Sequence, residues 1–108
     1  MREPGTTTVA TGVLLEIAKL TALKVSGVHS MGMAPRMSQD GKSAEGVHVR
    51  VIENVVDMDL YLVLEKGINV RQVSRSVQDN VARAISDMVG MVAGRINIHI
   101  EDIYFPPE

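Results

Sequence analysis

The chain has 108 residues, no cysteine, only three aromatic side chains (2 Tyr and 1 Phe), 45% hydrophobic residues, and 11 basic against 13 acidic residues for a net charge of −2. That length points to one domain with a self-sufficient aliphatic core, and the missing thiols exclude disulfide frameworks, thiolate zinc sites and cysteine nucleophiles. The near-neutral charge gives no general pull toward phosphate polymers or anionic lipid, no run approaches the ~20 apolar residues of a membrane span, and the start lacks the apolar stretch of a signal peptide, so a cytoplasmic protein without direct membrane insertion is expected.

Residues 1–5 read as a frayed lead-in, and Thr6–Val9 favours a short edge strand. From Thr11 the pattern becomes helical: Val13, Leu14, Ile17, Ala18, Thr21 and Val25 share one side. Gly27 stands where a left-handed C-cap is needed. Ser30–Gly46, with three glycines, one proline and no period, reads as a loop.

Val47, Val49 and Val51 then alternate with His48, Arg50 and Ile52, as a half-buried strand requires. Glu53-Asn54 turns the chain into a second strand. Met58, Leu60, Leu62 and Leu64 line one face of it, and Asp57, Asp59, Tyr61 and Val63 the other. Lys66-Gly67 leaves that strand, and Asn69 can cap the next helix, with Gln72 three residues on. Strand, glycine and helix N-terminus also suggest a phosphate cradle. However, a single glycine followed by Ile68, Asn69 and Val70 offers bulk where bare backbone is needed, and a simple connection is preferred.

The second helix carries the stripe Val70, Val73, Val77, Val81, Ala84, Ile85 and Met88, and stops at Gly90. Ile96, Ile98 and Ile100 form the inner face of a last strand, opposite Asn97, His99 and Glu101, and Pro106-Pro107 ends the fold. The expected architecture is a two-layer α+β domain, in the order short β-α-β-β-α-β. Both helices cover the aliphatic face of about three main strands, within a single domain over 1–108 whose core runs from about 6 to 105.

The polar sheet face groups His48, Arg50, Asp59, Tyr61, His99 and Glu101. Two histidines and two carboxylates could bind a divalent ion, but no short His spacing supports it, and a solvated surface with cross-strand ion pairs is the preferred reading. The same face could stack nucleic-acid bases, which needs two or three aromatics in a basic surround; Tyr61 is alone among acids. On the second helix, Arg75, Asp79, Arg83 and Asp87 are spaced four apart with alternating sign and can neutralise one another. No nucleophile motif or catalytic dyad is found.

The first helix is less ordinary. Leu23 lies nearly opposite the core stripe and Leu15 well off it, with Glu16 and Lys19 on the same side. With Met31, Met33 and Met37 beside them they could form an apolar patch for a partner. The residues expected to bind a partner are Leu15, Lys19, Leu23, Met31 and Met33.

Three segments, Val13–Gly32 "VLLEIAKLTALKVSGVHSMG", Val56–Gly90 "VDMDLYLVLEKGINVRQVSRSVQDNVARAISDMVG" and Ile96–Phe105 "INIHIEDIYF", together resemble the alkaline-shock, envelope-stress-response family of bacterial proteins. They resemble its first helix with a Gly-Val exit, its acidic strand with Gly-Ile connection and long second helix, and its closing strand. The resemblance implies a cytoplasmic α+β domain without enzymatic activity or cofactor. Some members self-assemble, and some sit beneath the membrane by binding a membrane-embedded partner. The family brings no catalytic or ligand residues. The expected function is thus a non-enzymatic, envelope-stress-associated protein acting as a homo-oligomer and/or docking to a membrane-anchored partner. The alternative is a small nucleic-acid-binding module using the sheet face or the second helix.

Overall fold

A computed structural model of the chain describes residues 11–33 and 41–107. In chain order the elements are α1 (Thr11–Leu23), β1 (Val28–Met31), β2 (Lys42–Ala44), β3 (Val47–Ile52), β4 (Val55–Glu65), α2 (Val70–Ala84), a π-helical turn (Ile85–Val89) and β5 (Val92–Tyr104). They form one five-stranded sheet with both helices on one face.

β4 is the centre of the sheet. One of its edges takes β3 along Val55–Leu60 and then β1 along Leu62–Leu64, both antiparallel. Tyr61 is the joint between them: its N–H donates to the Gly46 carbonyl (2.8 Å) and its carbonyl accepts from Gly32 (2.6 Å). β2 pairs antiparallel with β3 on the outside, and β5 runs parallel to β4 on the other side. That parallel pairing follows from the connection, because α2 carries the chain back along the sheet before β5 begins.

About three main strands are expected from the sequence, and five are present among the described residues. The two extra strands fall in or beside the segment read as a loop. β1 and β2 have only 4 and 3 residues, too few to establish a period. The missed signal was Glu45-Gly46. Both residues have positive φ, 49° and 83°, as the two-residue type I′ hairpin requires, and they join β2 to β3. The short strand expected at Thr6–Val9 lies outside the described residues.

The core is aliphatic, as expected. Val47 and Val49 of β3, Met58, Leu60, Leu62 and Leu64 of β4, and Ile96 of β5 face Leu14, Ala18 and Ala22 of α1 and Val73, Val77 and Val81 of α2. Each fully buried Val or Leu is worth about 1.5–3 kcal/mol before entropy. The stripes differ from expectation at their margins. Val13 faces solvent, since the true α1 stripe runs Leu14–Ala18–Ala22, turned one position from the predicted one. Val70 and Met88 are also exposed. α2 turns its Val73–Val77–Val81–Ile85 line inward, which leaves its first residue outside, and the π turn rotates Met88 off that line.

Asn69 caps α2, its side-chain oxygen accepting from the Gln72 N–H at 3.0 Å. Gly90 closes the other end in a left-handed conformation, φ 68°. Lys66-Gly67 is the plain connection expected: Gly67 turns at φ 81° and Lys66 lies over the Phe105 ring, 5.8 Å from its centre.

Candidate interaction surfaces

The polar face of the sheet is a network of paired groups. The Asp57 carboxylate accepts from the backbone N–H of Arg95 (2.9 Å) and from the Arg50 guanidinium (3.4 Å). The Arg95 bond, foremost, and the Arg50 bond and charge hold its carboxyl below the usual range. Asp59 takes the Asn97 amide at 3.2 Å and lies 2.8 Å from His99 Nε2. Tyr61 is buried and stacks on the His99 ring, with centroids 4.5 Å apart. Burial pushes its phenol pKa up, and the charges of Asp59 and Glu101 add to the effect. Further along, His29 stacks on Tyr104 at 3.8 Å and lies 3.2 Å from Glu65.

These contacts bear on the metal and nucleic-acid readings of the polar face. His48 and His99 stand on β3 and β5, with β4 between them, opposite Asp59 and Tyr61 respectively, so their backbones are two strand spacings apart across the sheet and two residues apart along it, about 11–12 Å in all. His48 is not on a solvated surface: it is buried, with Ser43 Oγ 2.6 Å from Nδ1. Among the described residues no group of three or more His, Asp or Glu side chains is placed to hold a metal ion. For nucleic acid, the aromatic of the central strand, Tyr61, is buried and stacked under His99, so that face of its ring is not free for a base.

On α2, the alternating charges at Arg75, Asp79, Arg83 and Asp87 make no ion pair within 4 Å. The described ion pairs are Lys19–Glu45, His29–Glu65, Arg50–Asp57 and His99–Asp59. The self-neutralised helix face is therefore corrected to a face of separate, solvated charges. Exposed pairs at this spacing gain only about 0.2–0.5 kcal/mol, too little to order long side chains.

The five residues expected to bind a partner do not form one patch. Leu15 is half-buried and packs on the core, as does Met31 in β1. Lys19 is held by Glu45 of the β2–β3 turn in an ion pair that raises its pKa, the hydrogen bond first and the Glu45 charge second among the raising causes. Met33 is 80% exposed, its backbone N–H donating to Glu101 Oε1 at 2.8 Å. Leu23 does face outward, 37% exposed. The structure puts it in different company: Val13 (46%) and Leu20 (49%) share its side of α1. Their spacing of 7 and 3 residues, with Glu16 between, is a helical stripe opposite Leu14, Ala18 and Ala22. Sequence reasoning missed Val13 by assigning it to the core and Leu20 by passing over it. A wheel centred on the two alanines would have found both. Met37 lies outside the described residues.

The structure is thus an α+β domain with an aliphatic core, a polar sheet face crossed by hydrogen bonds and ion pairs, and, among its exposed apolar groups, a stripe on α1. The chain belongs to the alkaline shock protein 23 family, described by a cell envelope-related function, whose profile matches residues 1–105. It is 30% identical over 107 residues to the uncharacterized protein YqhY of Bacillus subtilis (strain 168), covering 94% of this chain and 78% of YqhY. It is 32% identical over 94 residues to the uncharacterized protein Spy1535 of Streptococcus pyogenes serotype M6, covering 84% and 73% respectively. Among solved structures the fold is similar to a nickel form of the MamM CTD, with a TM-score of 0.61 at 13% identity over 84% of this chain and 96% of that one. A second MamM CTD structure matches with a TM-score of 0.56 at 12% identity, covering 86% and 99%. At such identities the likeness is one of fold alone.

Proposed function

We propose that this protein is a non-enzymatic, envelope-stress-associated interaction module. It self-associates and docks, through the outer face of α1, on a protein partner anchored in the membrane. The observation that carries the reading is the Val13–Leu20–Leu23 stripe. Single exposed leucines are ordinary, but three apolar side chains in register on one helix face, opposite the core, form an amphipathic surface for a groove or a second helix. Glu16 lies within the stripe and Lys24 borders it, so the surface carries one charge of each sign. The family's envelope-related function directs the reading toward the membrane. Among the described residues no helix is long and apolar enough to cross one, which makes a protein anchor the simplest tether.

The test is co-sedimentation of the purified chain with membranes of the source cells, intact or stripped of surface protein by protease. Binding to intact membranes, loss on stripping, and loss in Leu23→Asp with an unchanged circular dichroism spectrum are expected. Leu23 is 37% exposed and ends α1, so lost packing and an acid at the helix C-terminus cost about 1 kcal/mol, which leaves the domain folded. Equal binding of the parent and Leu23→Asp chains would refute the α1 interface, and equal binding to stripped membranes would replace the protein partner with lipid.

A further inference from the structure

β5 is a 13-residue strand that, among the described residues, pairs on one edge only. Its length of about 43 Å makes it the longest strand of the sheet, and its outer edge meets no other described strand. Open edges of this length are templates for another strand, and proteins blunt them with charges and bulges. β5 has two irregularities in its register with β4, one at Gly94-Arg95 and one at Glu101-Asp102. Between them Ile96–Ile100 is regular. The outer edge of this segment carries one described side-chain bond, from the Gln78 amide to the Ile96 carbonyl at 2.8 Å.

We infer that this edge pairs with the β5 edge of a second copy of the chain, antiparallel about a two-fold axis through Ile98. This locates the self-association half of the proposed function on a surface separate from α1.

The pattern of residues is self-complementary. A two-fold axis normal to the sheet keeps helix-facing residues opposite helix-facing residues, so register slips of one residue are forbidden. With Ile98 on the axis, Ile96 faces Ile100 of the copy and Asn97 faces His99. Ile98 and Ile100 are only half-buried in the single chain, and the pairing would bring these side chains together beside α2. The same register sets Arg95 and Glu101, the bulge residues just outside the regular segment, at matching positions, twice by symmetry; the pair forms when the Glu101 carboxylate leaves the Met33 N–H from which it accepts at 2.8 Å in the single chain. Arg95 is exposed, and among the described residues its guanidinium has no ion pair within 4 Å. The bulges flank the regular segment on both sides, so the one stretch fit for pairing is bounded by a cation at one end and acids at the other. Such an arrangement admits an antiparallel copy and disfavours a parallel one, which would set like charges together. The contact is isologous and closes at two subunits.

The experiment is sedimentation of the full chain over a concentration series, with variants checked by circular dichroism. Arg95→Glu should weaken the dimer at least about tenfold, since it turns two attractions into two repulsions. Glu101→Arg should weaken it likewise, and the double charge swap should restore it while both changes remain in the fold. The chain has no cysteine, so a mixture of Asn97→Cys and His99→Cys proteins should give a disulfide-linked dimer that neither gives efficiently alone. The inference is overturned by a chain that stays monomeric at millimolar concentration. A dimer indifferent to Arg95→Glu, or a double swap that folds but stays apart, also overturns it. So does a monomer whose β5 edge amides resist hydrogen exchange, because some other segment then covers the edge. A dimer broken by Leu23→Asp and not by Arg95→Glu places self-association on α1.

Discussion

Gly27 joins α1 to β1 at φ 103°, and its carbonyl accepts the Glu65 N–H at 2.8 Å. A Cβ added there would stand 2.8 Å from Val73 Cγ2 and 3.6 Å from Ile68 Cγ2. Gly27→Ala therefore carries two separable costs. The left-handed backbone costs an L-residue about 1–2 kcal/mol. Pressing a methyl into the buried Val73 side chain of α2 adds about 1–3 kcal/mol, because Val73 is β-branched and cannot swing clear. Together they remove roughly 2–5 kcal/mol from a domain stability of order 5–15 kcal/mol. At this size that lowers the melting temperature by about 10–30 °C. Gly67→Ala is the control: its φ is 81° but nothing lies within 4 Å of its added Cβ, so only the backbone cost applies. In a Val73→Ala background the Gly27→Ala cost should shrink toward that of Gly67→Ala. Urea melts of the four variants and the parent measure each step. Equal destabilisation by Gly27→Ala and Gly67→Ala in the wild-type background would refute the clash and, with it, the close approach of the α1–β1 corner to α2.

Asp57 has a lowered pKa, from its bond to the Arg95 N–H first, so its contribution is present above its unfolded value of about 3.9 and is lost as pH falls through the folded value. Asp57→Asn should flatten the stability profile below about pH 4, and an unchanged acid limb in denaturant melts would rule the linkage out. Tyr61 has a raised pKa, from burial first. Stability is thus intact below the unfolded value of about 10 and declines as pH rises through the folded one. Tyr61→Phe should remove that part of the alkaline decline; identical slopes between about pH 9 and 11.5 would show that the phenol does not couple to folding.

The layers and the core were legible because they rest on period. Five successive alternations in β4 and four valine or isoleucine positions in α2 leave little choice of face, and Asn69 and Gly90 mark their ends by local chemistry. What escaped were features without a period. β1 and β2 are too short to show one, and their presence depends on pairing with partners distant in sequence, β1 with Leu62–Leu64 and β2 with Val47–Val49. The polar face was legible as a set of residues but not as a set of contacts. That Tyr61 lies under His99, while β4 holds His48 apart from it, depends on strand order, which a single sequence does not give. The α1 patch was half read: Leu23 is outward, but Leu15 is not. Val13 and Leu20 complete the stripe because Ala18 and Ala22, small enough to let the helix approach the sheet, set the inward direction.

The two proposed surfaces are geometrically compatible, and their combination has a consequence that neither has alone. An antiparallel pairing of β5 edges has its two-fold axis normal to the sheet, so both helical layers of the dimer lie on the same side. α1 packs over β1 and β3, beyond β4 from β5, so the two α1 stripes stand apart at the ends of a continuous sheet, both turned away from it. A flat array of anchored partners could then be gripped at two points by one dimer. The second contact forms at an effective concentration set by the rigid sheet, and can strengthen attachment by 10²–10⁴ over one contact. Weak helix docking would be enough for stable recruitment, provided the edge pairing holds. Arg95→Glu, which leaves the α1 stripe untouched, should therefore reduce membrane co-sedimentation as well as dimerisation. If recruitment is indifferent to it while Leu23→Asp abolishes recruitment, a single α1 contact suffices and the two surfaces act independently.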